Sequence, residues 1–198
     1  MTTNTMTATD TTARVWIGCL GCYNDGRLVG EWFAAADADT VTTQDLHDAG
    51  GGPTVNAGGY VGTGWDESPH EELWVMDFEG LPISGECSPA EAAGWGQLLD
   101  EVDDWQREAL LAWVRSGDYT AEGTGNLPSL SDFEDQYAGE WDSFREYAEE
   151  LADDIGMLAG VLDEFVGYFN WSAWARDLAY DYMTTDSPNG GVFVFRSL

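Results

Sequence analysis

Ser143-Phe144-Arg145-Glu146-Tyr147-Ala148-Glu149-Glu150-Leu151-Ala152-Asp153-Asp154-Ile155-Gly156-Met157-Leu158 is the stretch that decides the fold. At about 100° per residue, Phe144, Tyr147, Ala148, Leu151, Ile155 and Leu158 gather on one face, and Glu146, Glu149, Glu150, Asp153 and Asp154 on the opposite one. Ser143 followed three residues later by Glu146 is a capping-box start. The pattern predicts an amphipathic helix with its apolar side against a core and a row of carboxylates turned outward. Upstream, Ser131-Asp132-Phe133-Glu134 and Ser88-Pro89-Ala90-Glu91 repeat the capping signal, the latter with proline in the first turn. Between them, Asp100 to Arg115 reads as one helix, with Val102, Trp105, Ala109 and Trp113 inward and Asp100, Asp104 and Glu108 outward. Downstream, helical stretches around 161–169 and 172–183 lead to an Asn189-Gly190-Gly191 turn and a terminal strand Val192-Phe193-Val194-Phe195.

The N-terminal part reads differently. Arg14-Val15-Trp16-Ile17-Gly18 and Leu28-Val29-Gly30-Glu31-Trp32-Phe33 flank an Asp25-Gly26 turn as a hairpin, and Leu73-Trp74-Val75-Met76-Asp77-Phe78 reads as a third strand. Between them, 49–64 holds so many glycines that it reads as a long flexible loop, poorly suited to holding reactive groups in place. The run 116–128 reads as a linker. The sequence therefore predicts an α+β chain of three small units: an N-terminal antiparallel sheet over 1–83, a central helical unit over 84–125, and C-terminal helices with a short sheet over 126–198.

Charge narrows the function. The 198 residues carry 37 acids against 7 bases, every base an arginine, for a formal net charge of −30. With 43% hydrophobic and 13% aromatic residues the chain can still offset the entropy cost of folding, so it reads as a folded polyanion and not as an acidic disordered tail. Such a field repels phosphate, which excludes direct binding to nucleic acid or to an anionic membrane and points to cationic partners. The three segments carry −11, −7 and −12, so the acidity runs through all of them. The three cysteines (Cys19, Cys22 and Cys87), without a secretory signature, fit a reducing, cytoplasmic setting.

Catalytic and metal chemistry find little support. Cys19-Leu20-Gly21-Cys22 has CxxC spacing, but no second CxxC and no paired histidines accompany it. His47 and His70 stand alone and read as loop residues, so neither a metal nor another cofactor is expected. Neither a phosphate loop nor a dinucleotide fingerprint is present. Carboxylates beside ten tryptophans could describe a glycoside-processing or carbohydrate-binding protein, although most of the tryptophans fall at core-facing positions. A halophilic background, in which acidic surfaces are generic, is the other bland account. A third reading is geometric: carboxylates at i, i+3 and i+4 of a helix stand roughly 5 to 6 Å apart, near the spacing of phosphates along a strand. At one charge per about 1.7 Å of B-DNA, 30 net charges match roughly 50 Å of duplex.

Four blocks in order carry a family resemblance: Arg14-Val15-Trp16-Ile17-Gly18 with Tyr23-Asn24-Asp25-Gly26-Arg27-Leu28-Val29-Gly30-Glu31-Trp32; His70-Glu71-Glu72 leading into Met76-Asp77-Phe78-Glu79-Gly80-Leu81-Pro82; Phe133-Glu134-Asp135-Gln136-Tyr137-Ala138-Gly139-Glu140-Trp141; and Trp174-Ala175-Arg176-Asp177-Leu178 with Tyr182 and Val192-Phe193-Val194-Phe195-Arg196. Together they resemble the ArdA antirestriction proteins, which are DNA mimics. The Thr-rich start and the glycine tract near 50–64 depart from that pattern. The resemblance implies an elongated homodimer that catalyses no reaction and occupies the DNA-binding groove of type I restriction-modification enzymes. Its phosphate-mimicking residues are then expected to be Asp100, Asp104, Glu108, Glu134, Asp135, Glu140, Asp142, Glu146, Glu149, Glu150, Asp153 and Asp154. The arginines are expected in internal or subunit contacts.

Overall fold

A computed structural model describes residues 12–56, 58–61, 68–122 and 125–197. By its internal contacts the chain divides into two compact units, Met1–Val102 and Asp103–Leu198. The stretch 84–125, drawn from sequence as a central unit, is shared between them.

In the first unit, β1 (Arg14–Cys19) lies between β2 (Gly30–Ala34) and β5 (Leu73–Glu79), antiparallel to both. Alternation buries Val15 and Ile17 on one side of β1. The expected hairpin exists, but its connection contains a short helix, α1 (Leu20–Asn24), before Gly26 turns the chain at φ +76°. After β2 come a 3₁₀ segment (Ala35–Thr40) and α2 (Thr43–Gly50), capped by a full Thr42/Asp45 capping box. The glycine tract is not one unbroken loop: α2 extends into it, and β3 (Tyr60–Val61) pairs with β4 (Ser68–Pro69). Residues 51–56, 58 and 59 are turn and irregular backbone, and 57 and 62–64 lie outside the described residues.

Helix α3 (Pro89–Glu101) begins as its sequence indicates, with the Ser88 hydroxyl accepting from Glu91 N–H and Pro89 in the first turn. It packs on the 3₁₀ segment through a small-residue face of Ala92, Ala93 and Gly96. A Cβ on Gly96 would fall 2.5 Å from the Ala35 carbonyl carbon and closer still to Ala36 N. Because backbone cannot yield as a flexible side chain does, Gly96→Ala is expected to destabilise the first unit by about 1–3 kcal/mol, despite alanine's better helix propensity. Urea denaturation of the variant measures this, and an unchanged midpoint would mean that α3 is free to move off the 3₁₀ segment.

The second unit contains α4 (Asp104–Ser116), α5 (Leu130–Gln136), β6 (Tyr137–Trp141), α6 (Phe144–Asp154), α7 (Asp163–Val166), α8 (Trp171–Leu178), β7 (Tyr182–Asp186) and β8 (Val192–Arg196). Its antiparallel sheet has the order β6-β8-β7. Phe193, Val194 and Phe195 are all buried because the central strand is packed on both faces, with α4, α5 and α6 among its neighbours. Phe133 and Trp113, both fully buried, complete an aromatic core with Tyr137. The terminal hairpin turns through Gly190 and Gly191, both at positive φ, and a Cβ on Gly191 would collide with the Trp141 carbonyl oxygen.

Asp100 to Arg115 is not one helix: Val102 and Asp103 are extended, with ψ of 138° and 140°, and part α3 from α4. The turn buries Val102. It also leaves Trp105, read as a core residue, 65% exposed with its indole N–H donating to Asp103. The cap of α5 is Ser129 and not Ser131, because Ser129-Leu130-Ser131-Asp132 offers the same hydroxyl-to-acid spacing two residues earlier. The helix expected to reach Met183 ends at Leu178, and after one 3₁₀ turn the β-branched Thr184 and Thr185 lie in β7. Helix α6 ends at Asp154, before Gly156 at φ +64°, so Ile155 is exposed and does not extend the apolar face.

Candidate functional site

The acids singled out from sequence are surface residues: all twelve are exposed except Glu149, which is partly buried. Nine of them, from Glu134 to Asp154, lie in the second unit along α5, β6 and α6, with Asp142 in the turn between the last two. Helix α6 holds the densest row. Tyr147, Ala148 and Ala152 bury its inner side, and the Trp174 indole N–H donates to the Ala148 carbonyl from α8, 2.8 Å away. Glu146, Glu150, Asp153 and Asp154 are thereby fixed on the outer side. Asp104 and Glu108 share one side of α4, whereas Asp100 belongs to α3 in the other unit, so the stripe read as continuous through all three is broken.

The acids of this region do different things. Glu146 accepts from Asp142 N–H at 3.0 Å, one residue before the expected reciprocal partner of the cap. Glu140 accepts from the Ser187 hydroxyl and from the Asn189 side-chain amide, tying β6 to the terminal turn. Glu149 accepts from Arg145 at 2.6 Å, and Asp104 pairs with Arg107 at 3.5 Å. Among the described residues, Glu150, Asp153 and Asp154 have no ion-pair partner. The other arginines with described partners make contacts within their own unit: Arg27 with Asp25, Arg176 with Asp177, Arg14 over the Trp32 ring, and Arg196 against Tyr182 and Tyr147. They leave the outer row of α6 anionic.

A second constellation was not read from sequence. Cys19, Cys22, His47 and His70 are all buried, and one ligand atom from each lies within 4.8 Å of every other. His47 is a residue of α2, which corrects its reading as a loop residue. His70 does follow β4 in an irregular segment, but it is fully buried. Burial, with Cys19 beside it, pushes the Cys22 thiol up to about 11. Burial, with His47 next, lowers the His70 imidazole below its ordinary value, so His70 is neutral with one nitrogen lone pair available. Cys87, bridged to Val75 through its backbone, lies outside this group.

An α+β chain with a strongly acidic outer face on its second unit is the class of molecule that these features define. The chain belongs to the ArdA family: the model of that family, described as antirestriction protein (ArdA), matches residues 15–192, and antirestriction is the activity that membership implies. Comparison with curated proteins gives no match. Among the described residues, no helix is long and apolar enough to cross a membrane.

Proposed function

We propose that the protein acts as a DNA mimic that competitively occupies the DNA-binding groove of type I restriction-modification enzymes. The observation that carries this reading is α6: an exposed row of carboxylates, unpaired at Glu150, Asp153 and Asp154, on a helix anchored by its opposite face. Carboxylates held at helical spacing stand in for phosphates against the lysines and arginines that normally grip the duplex. They carry no base-edge code, so shape and charge spacing select the target. On this reading the acids on α4 and α5 add to the array, and a homodimer would double it. No reaction is catalysed on this reading.

Purified protein is expected to protect unmodified DNA from a type I enzyme at about stoichiometric amounts, with relief by excess DNA. Replacing Glu150→Gln, Asp153→Asn and Asp154→Asn together should weaken binding about tenfold, at roughly 0.5 kcal/mol for each exposed charge. Folding should be intact or improved as self-repulsion falls. Inhibition that excess DNA fails to relieve would rule out competition for the groove.

A further inference from the structure

We propose that Cys19, Cys22, His47 and His70 form a tetrahedral zinc site that fastens three separate segments of the first unit to one another. The donor set is two sulfurs and two nitrogens, a combination that suits four-coordinate zinc. Zn–S bonds of about 2.3 Å and Zn–N bonds of about 2.0–2.1 Å at tetrahedral angles place sulfur and nitrogen ligands roughly 3.5 Å apart. His70 Nδ1 lies 3.2 Å from Cys19 Sγ and 3.4 Å from Cys22 Sγ, and His47 Nε2 lies 3.8 Å from Cys22 Sγ.

The hydrogen bonds around the cluster orient the same atoms inward. His47 Nδ1 donates to the Pro53 carbonyl at 2.6 Å, which leaves the Nε2 lone pair facing Cys22. With Nδ1 of His70 as ligand, its proton sits on Nε2, a fully buried atom that has no hydrogen-bond partner and faces Asp25 Oδ2 at 4.0 Å. At that distance Asp25 is a nearby negative charge for the imidazole and not a hydrogen-bond partner. Cys22 N–H donates to Cys19 Sγ at 3.4 Å, which holds the two ends of the CxxC turn together. The glycines also fit: a Cβ on Gly21 would meet the Pro69 carbonyl oxygen at 2.8 Å, and one on Gly52 would meet His47 Nδ1 at 2.8 Å. Both glycines therefore permit the close approach that brings the CxxC turn, α2 and the segment after β4 to one point.

Two other accounts explain less. A thiol–disulfide exchange site needs partial exposure, whereas Cys19 and Cys22 are both buried. An ordinary packed core does not account for two imidazoles whose lone pairs converge on two thiols, one of them with an unpaired buried N–H. Binding converts two buried thiols to thiolates with release of two protons to solvent, and Zn²⁺ with two thiolates and two neutral imidazoles is a net-neutral core suited to burial.

The test uses the full-length protein, kept reduced. Elemental analysis is expected to find about one zinc per chain. After chelation, Co²⁺ should produce the visible bands of tetrahedral cobalt together with a thiolate charge-transfer band, and Zn²⁺ should erase both. Zinc should also raise the melting temperature of the chelated protein and slow thiol modification at Cys19 and Cys22. Cys87→Ala should retain the cobalt spectrum, whereas Cys22→Ser and His70→Ala should lose the tetrahedral bands. Wild-type protein that folds with its thiols reduced, contains no stoichiometric zinc and gives no cobalt bands would overturn the proposal, whether or not the variants fold.

Discussion

Raising salt from about 50 to 200 mM is expected to weaken binding to a type I enzyme by about 100-fold. A protein that grips 6–10 DNA phosphates loses roughly 10³–10⁵ in affinity over that range, because condensed counterions released on binding must be returned. Carboxylates on a folded surface are less densely spaced than phosphates and condense fewer ions, so the fall should be smaller than for DNA but far steeper than for one ion pair. Both rates should respond, association most, since the net charge of −30 steers the encounter at long range. A competition titration at four or five salt concentrations measures the slope. An affinity constant across the range would remove phosphate mimicry as the mechanism.

The largest single effect on stability is expected at Phe133. Its ring stacks on Tyr137 at 5.3 Å with an interplanar angle of 12°, and lies 5.7 Å from Trp113 and 6.4 Å from Phe195. Phe133→Ala removes the side chain where helix α5 meets the sheet and leaves rigid rings around a void, at a cost of about 3–5 kcal/mol. Against typical stabilities of about 5–15 kcal/mol this is a large share, and with urea slopes of about 1–3 kcal/mol per M it lowers the midpoint by about 2 M. Phe133→Leu should shift it much less. Circular dichroism in urea reads both, and a shift below about 0.5 M for the alanine variant would mean that the aromatic cluster collapses to fill the gap.

Hydrophobic periodicity revealed most where one element faced one core. The hairpin partners of β1, the Ser88 and Ser143 caps and the buried side of α6 could all be seen in the sequence because local chemistry and tertiary packing agree there. The break at Val102 could not: the period of 3.6 runs on through it, and neither Val102 nor Asp103 carries a glycine or proline signal for the extended backbone found there. Strand β6 was hidden for a related reason. Tyr137-Ala138-Gly139-Glu140-Trp141 has no clean alternation, since Gly139 at φ +109° makes a bulge against β8. The acids were easy to find but not to rank, because Glu140 and Glu146 bond within the fold and are indistinguishable in sequence from Glu150 and Asp153. The Cys/His cluster was masked by distance. Twenty-four residues separate Cys22 from His47 and twenty-two separate His47 from His70, so the local spacing that marks short zinc motifs is missing and only the folded chain assembles the four.

Helix α6 ends on Asp153 and Asp154 and has no basic residue in its last turn. The partial negative charge of its terminal carbonyls therefore meets two full negative charges, an arrangement that costs about 0.3–1 kcal/mol for each acid. The unbound protein carries this as local frustration at one end of its most acidic helix. On the mimic reading, the guanidinium and ammonium groups of a restriction enzyme do more than neutralise carboxylates there: they also supply the cations that this helix terminus lacks in its own sequence. The inhibitor's last turn would then be completed by its target, and part of the affinity would come from relief of a conflict already present in the free molecule.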